Sequence, residues 1–148
     1  MVLTSCKEDE TTAPNNSPTP PSGLTFKVDG TLVTADSANA VLYTLGVPPN
    51  NREIDVFVFQ GGSQVLEMHF LPKTGPQTAA QNFNEAWLTY ETTSSHYHSQ
   101  SGELNLSTCD TTGNQLEGTF NFVGLESGGS TTKNITEGNL IVTQITHM

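Results

Sequence analysis

A chain of 148 residues with 15 acidic and only 5 basic side chains carries a formal charge of −10. The basic residues are scattered as Lys7, Lys27, Arg52, Lys73 and Lys133, so no positive stripe can form. Nucleic acid and anionic headgroups would be repelled rather than neutralised, and no nucleic-acid partner is expected. No run approaches the roughly 20 apolar residues that cross a bilayer as a helix.

The chain opens with Leu3-Thr4-Ser5-Cys6, an apolar residue three positions before a cysteine and a small one directly before it. This tetrapeptide resembles a bacterial lipobox, whose cysteine becomes the acylated first residue of the mature protein. Residues 1–5 then read as the tail of an export signal, too short to hold its charged and apolar regions. Several acyl chains, at about 0.8 kcal/mol per buried methylene, make a lasting anchor in outer-membrane lipid. A lipidated Cys6 cannot pair with Cys109, the one other cysteine, which leaves Cys109 a lone thiol. Lys7-Glu8-Asp9 resembles the surface-export signal of Bacteroidota lipoproteins, a lysine followed by acidic residues. Residues 11–22 contain four prolines and no large apolar side chain, so they are expected to form an extended, disordered tether. The expected organisation is thus 1–5 residual signal peptide, 6–22 lipidated cysteine and tether, and 23–148 one folded domain.

Short runs of valine, phenylalanine, threonine and leucine then alternate with Gly, Pro, Asn and Asp clusters. Residues 24–28 and 31–34 flank Asp29-Gly30, which supplies the positive φ values of a two-residue hairpin turn. Strands are expected at 39–45 and 53–59, the second with Ile54, Val56 and Val58 on one face and Phe57 and Phe59 on the other. Gln60-Gly61-Gly62 turns the chain into 65–71, where Leu66, Met68 and Phe70 point inward while Glu67 and His69 face water. Residues 72–82 read as the longest loop, with one possible helical turn at 78–85. Further strands are expected at 86–91, 103–108, 115–123 and 139–146. No window sustains a helical repeat, so the predicted class is all-β: an antiparallel β-sandwich of about eight or nine strands, or alternatively a closed, lipocalin-like antiparallel barrel.

In the second half, Ser101-Gly102-Glu103-Leu104-Asn105-Leu106, Cys109-Asp110-Thr111-Thr112, Leu116-Glu117-Gly118-Thr119-Phe120-Asn121-Phe122 and Asn134-Ile135-Thr136-Glu137-Gly138-Asn139-Leu140 stand out. With the early Val28-Asp29-Gly30-Thr31, they resemble a family of uncharacterised Bacteroidota lipoproteins, over most of residues 24–146. The resemblance implies an exported, lipid-anchored β-domain and supplies no catalytic or ligand residues. Gly118 and Gly138 fall where a strand begins or bends, positions at which glycine permits a bulge or a close backbone approach.

Three groups of residues are candidates for sites. Trp87, the single tryptophan, is expected to share a strand face with Glu85 and Thr89, either buried beside Phe83 or exposed. If exposed, its ring together with Tyr90 or Tyr97 could meet a sugar or a protein. His96 and His98 alternate on a strand and could grip one divalent ion, but 92–95 and 99–101 read as solvated loop and no third ligand is near in sequence. No metal site is therefore expected. Ser37 in Asp36-Ser37-Ala38 and Thr111 in Asp110-Thr111-Thr112 resemble Bacteroidota O-glycan acceptors, and the same triplets are ordinary turn chemistry.

No nucleophile elbow, zinc-hydrolase helix or phosphate-cradling glycine loop is present, and no cofactor is expected. The sequence points to a surface-exposed, lipid-anchored, non-catalytic domain that binds an extracellular glycan or an envelope protein. The alternative is a structural accessory subunit of an outer-membrane protein complex.

Overall fold

The computed structural model describes residues 23–46, 51–81 and 85–148. The expectations about Cys6, Lys7-Glu8-Asp9, the tether and Phe83 lie outside them. The Asp29-Gly30 turn forms as its sequence dictates, with φ of 48° and 85°. It joins β1 (Gly23–Val28) to β2 (Thr31–Thr34), with Val28 opposite Thr31. β3 (Ser37–Thr44), β4 (Arg52–Gln60) and β5 (Ser63–Phe70) follow as an antiparallel meander. β6 (Gly75–Thr78) and β7 (Ala86–Glu91) precede two long strands, β8 (His96–Asp110) and β9 (Gln115–Glu126). β10 (Thr132–Val142) and β11 (Ile145–His147) end the chain.

All eleven strands of the described residues belong to one sheet, in the order β11-β3-β4-β5-β7-β8-β9-β10-β1-β2, with β6 paired to β8 beside that path. Only Thr143 and Gln144 separate β10, near one end of this order, from β11, which lies parallel to β3 at the other. Near the same junction the Ala35 amide donates to the Leu24 carbonyl at 2.9 Å and the Asp36 amide to the Phe59 carbonyl at 2.8 Å. The sheet is therefore curled into a half-barrel, which bears out the all-β expectation. One face of the curl encloses the apolar core that a sandwich would hold between two sheets.

Strand parity builds that core. Ile54, Val56 and Val58 on β4 and Leu66, Met68 and Phe70 on β5 are buried, whereas Phe57 and Phe59 on the other face are half-buried. Phe26, Leu88, Leu104, Phe120 and Phe122 complete the interior. Each such side chain contributes roughly 1.5–3 kcal/mol on leaving water.

β8 and β10 begin seven residues before their sequence pattern. β8 starts at His96 rather than near 103, so the expected loop at 99–101 lies within the strand that carries His96 and His98. Its register shifts between Ser99 and Ser101, which moves the buried parity from Tyr97 and Ser99 to Leu104 and Leu106. β10 behaves alike: its register shifts between Ile135 and Gly138, and burial passes from Ile135 to Gly138, Leu140 and Val142. One extra residue in a bulge exchanges the two faces of everything beyond it. Gly138 is needed there because a Cβ on it would stand 2.5 Å from the Phe120 ring.

The expected loop at 72–82 contains β6, and residues 78–81 form no helical turn. Gln77, fully buried, explains the order of this segment. Its Nε2 donates to the carbonyls of Leu71 (2.9 Å) and Lys73 (3.3 Å), and its Oε1 accepts from the Leu71 amide at 3.0 Å.

Candidate functional site

The outer face of β4, β5, β7 and β8 is unusual for a solvated sheet surface, because its polar side chains are packed against one another and partly buried. Period-2 geometry sets Glu53, Asp55 and Phe57 on one side of β4 and Glu67 and His69 on the same side of β5. Register aligns Asp55, His69 and Trp87 in one row across three strands, and Phe57, Glu67, Thr89 and His98 in the next.

His69 is the centre of this surface. Its Nδ1 lies 2.7 Å from Asp55 Oδ1 and 3.2 Å from Glu53 Oε1, and its Nε2 lies 3.0 Å from Glu67 Oε1. The imidazole is 21% exposed. Burial alone would favour its neutral form, but the Asp55 hydrogen bond and the charges of Asp55, Glu67 and Glu53 outweigh it and raise its pKa to about 9. Glu53 is likewise pushed up from its usual range: burial, then the nearby Asp55 carboxylate, raise its pKa despite His69.

The His69 ring stacks on Trp87 with centroids 5.5 Å apart and planes 24° apart, so a cationic imidazole rests on an electron-rich indole. β7 runs between β5 and β8, and His98 reaches Trp87 from the opposite side at 5.1 Å. His98 Nδ1 is 3.0 Å from Thr89 Oγ1. Burial, and secondarily the charge of neighbouring His96, lower the pKa of His98. Trp87 is thus held between two imidazoles, one with its pKa raised and one with its pKa lowered. Gln64 Nε2 donates to Glu67 at 3.3 Å and to Glu91 at 3.0 Å, closing the surface on the far side. Beside the indole a cleft of about 120 Å³ is lined by Glu53, His69, Leu71, Glu85 and Trp87.

The sequence-derived candidates separate on this frame. Trp87 is half-buried on the outer face with Glu85 and Thr89 nearby in parity. Tyr90 and Tyr97 occupy the inner face, where Tyr90 meets Phe26 edge-on at 6.2 Å and Tyr97 at 6.0 Å. The three rings therefore do not make one surface, because adjacent positions on a strand point to opposite sides. His96 and His98 share the outer face with Trp87, but His96 is exposed and 3.8 Å from Glu91, whereas His98 meets Thr89 and Trp87. Ser37 is half-buried at the start of β3, and the preceding Asp36 carboxylate accepts from the Gly61 amide at 2.5 Å. Thr111 Oγ1 accepts from Arg52 Nη2 at 3.2 Å. Asp110 Oδ1 accepts from the amides of Thr112 (3.1 Å) and Gly113 (2.7 Å), the turn chemistry open to that triplet.

The carboxylates around His69 were not singled out by the sequence. Glu53, Asp55 and His69 bring their ligand atoms within 4.8 Å of one another, the one such group of metal-ligating side chains found among the described residues. A hairpin turning at Gly61-Gly62 pairs Gln60 with Ser63 and Phe59 with Gln64, and uninterrupted it would set His69 against the inward Ile54. Both faces agree only if an extra residue is inserted, and Val65 is that residue: beyond it Val58 pairs with Leu66 and Asp55 with His69. Comparison of the chain with family models, curated proteins and solved structures gave no match. What the site can do rests on its own geometry.

Proposed function

We propose that the protein is a non-catalytic binding domain, displayed outside the cell on an acylated Cys6, that takes an extracellular glycan on the outer face of β4, β5, β7 and β8. The observation carrying this reading is the cleft in which Trp87 stands beside outward carboxylates. Glu53, with 43% of its side chain exposed, and Glu85 offer acceptors to sugar hydroxyls. Both faces of the indole are flanked by imidazoles, so the sugar meets the rim of Trp87 rather than stacking flat on it. The lipobox, the Lys7-Glu8-Asp9 signal and the resemblance to Bacteroidota lipoproteins support the location at the outer membrane.

Titration with a panel of soluble envelope and host polysaccharides, in chelator and followed by the fluorescence of Trp87, tests the ligand. Binding that Trp87→Ala or Glu53→Gln abolishes while the thermal midpoint is retained supports the reading. No response to any polysaccharide at millimolar sugar, or binding indifferent to both variants, refutes it. For the location, the full-length gene is expressed in its native host with radiolabelled palmitate and globomycin; an unlabelled product removes the anchor.

A second reading, an accessory subunit of an outer-membrane protein complex, is favoured by β2. Among the described residues this strand pairs only with β1, and Leu32 on it is 63% exposed. A bare edge with an apolar side chain is a template for another chain. Affinity purification from native membranes separates the two: stable co-purifying envelope proteins favour the second.

A further inference from the structure

We propose that Glu53, Asp55 and His69 form a binding site for one first-row divalent metal ion, of which zinc is the type, with Glu67 as the residue that orients the histidine. The site shares Glu53 and the cleft beside Trp87 with the glycan reading but does not depend on it.

Three features of the geometry point this way. First, His69 Nδ1 stands 2.7 Å from Asp55 and 3.2 Å from Glu53. Metal–ligand bonds of about 2.0–2.2 Å place the ligand atoms of one coordination shell about 3 Å apart, so the three groups need little movement to share an ion. Secondly, Glu67 accepts from Nε2 at 3.0 Å. A carboxylate on the far nitrogen fixes the tautomer and aims Nδ1 at the ion, the usual support of a metal-bound histidine. Gln64 holds Glu67 in turn, and the Trp87 ring fixes the plane of the imidazole. Thirdly, coordination is open on one side, because Glu53 and His69 also line the cleft beside Trp87, where water or an oxygen ligand could complete the shell.

The donor set selects the ion. One imidazole nitrogen with two carboxylates suits borderline first-row ions, whereas calcium takes six to eight oxygens and magnesium keeps most of its water. On binding, the ion replaces whatever proton Nδ1 shares with Asp55, and the proton on Nε2 stays with Glu67. Two carboxylates and a neutral imidazole then neutralise the ion's two charges.

The competing account is an imidazole clamped by three carboxylates and nothing more. Cobalt(II) titration of the full 148-residue chain carrying Cys6→Ser, which removes a competing thiol, distinguishes them. Trp87 lies next to the site, so its fluorescence quenches as the ion enters, and zinc should displace cobalt competitively while calcium does not. We expect one ion per chain. Asp55→Asn and Glu53→Gln should each weaken binding at least about tenfold, and Glu67→Gln by roughly 10–100-fold, together with a changed cobalt d–d spectrum. Replacing both His96 and His98 by glutamine should leave affinity unchanged. The proposal is overturned by no saturable quenching up to about millimolar cobalt, or by binding that survives Asp55→Asn and Glu53→Gln and disappears with the His96 and His98 pair. Glu53 is the more exposed ligand, so Glu53→Gln remains decisive if Asp55→Asn fails to fold.

Discussion

Replacing His69 by glutamine in metal-free, chelator-containing buffer should destabilise the domain in a way that depends on pH with a definite sign. The folded imidazole has a pKa of about 9 against an ordinary 6.5. At about 1.4 kcal/mol for each tenfold in proton affinity, the difference sets a ceiling slightly over 3 kcal/mol. His69 is 21% exposed, so some of this is lost to solvent screening and about 2–3 kcal/mol is expected. Below pH 6.5 folded and unfolded chains both carry the proton, and the stabilisation is complete. Between 6.5 and about 9 only the folded chain keeps it, so the contribution falls as pH rises and is gone above 9. Urea unfolding of both proteins, read by far-ultraviolet circular dichroism from about pH 6 to pH 10, should therefore show a gap that closes with rising pH. A gap below about 1 kcal/mol, or one constant across the range, refutes the clamp of Asp55, Glu53 and Glu67.

Other perturbations test the frame around the site. Gly138→Ala puts a methyl 2.5 Å from the Phe120 ring and should cost about 1–3 kcal/mol by chemical denaturation, partly recovered when Phe120 becomes leucine. Gln77→Leu leaves the Leu71 amide and two loop carbonyls without their partner and should cost about 1–3 kcal/mol, with faster amide exchange at Leu71 as its signature. Cys109 has its pKa raised by burial, which outweighs the lowering by Arg52 and is reinforced by Asp110. In a Cys6→Ser background it should react with a disulfide reagent at pH 8 on the order of tenfold more slowly than after unfolding, and equal rates would contradict the packing.

The fold was legible wherever one alternation ran without interruption. β4 and β5 keep their predicted alternation from Ile54 to Val58 and from Leu66 to Phe70, and Asp29-Gly30 announces its hairpin because so few residues accept its φ values. Legibility failed where two alternations of opposite phase meet. Residues 99–101 looked like loop because Ser99, with Tyr97, is buried out of step with Leu104 and Leu106, and the first part of β10 was obscured in the same way by Thr136 and Glu137. β6 was hidden for a different reason: its order comes from the hydrogen bonds of one buried amide, Gln77, which leaves no periodic trace. At the site, the outward parity of His69 and the shared face of Trp87 with Thr89 were readable. The convergence of Glu53 and Asp55 on His69 was not, since it depends on the single extra residue at Val65.

The same defects that blur the pattern also make the strands behave as if cut into segments half a wavelength apart. Within a segment, an inserted or lost residue would turn every later side chain inside out. At Gln100, already the surplus position between Ser99 and Ser101, deletion would instead merge the two segments of β8 into one phase. Tyr97 and Ser99 would then stay inward, in unbroken step with Leu104 and Leu106, and His96 and His98 would stay outward beside Trp87. A single removable position thus sets where β8 breaks phase without deciding which histidines the outer face displays.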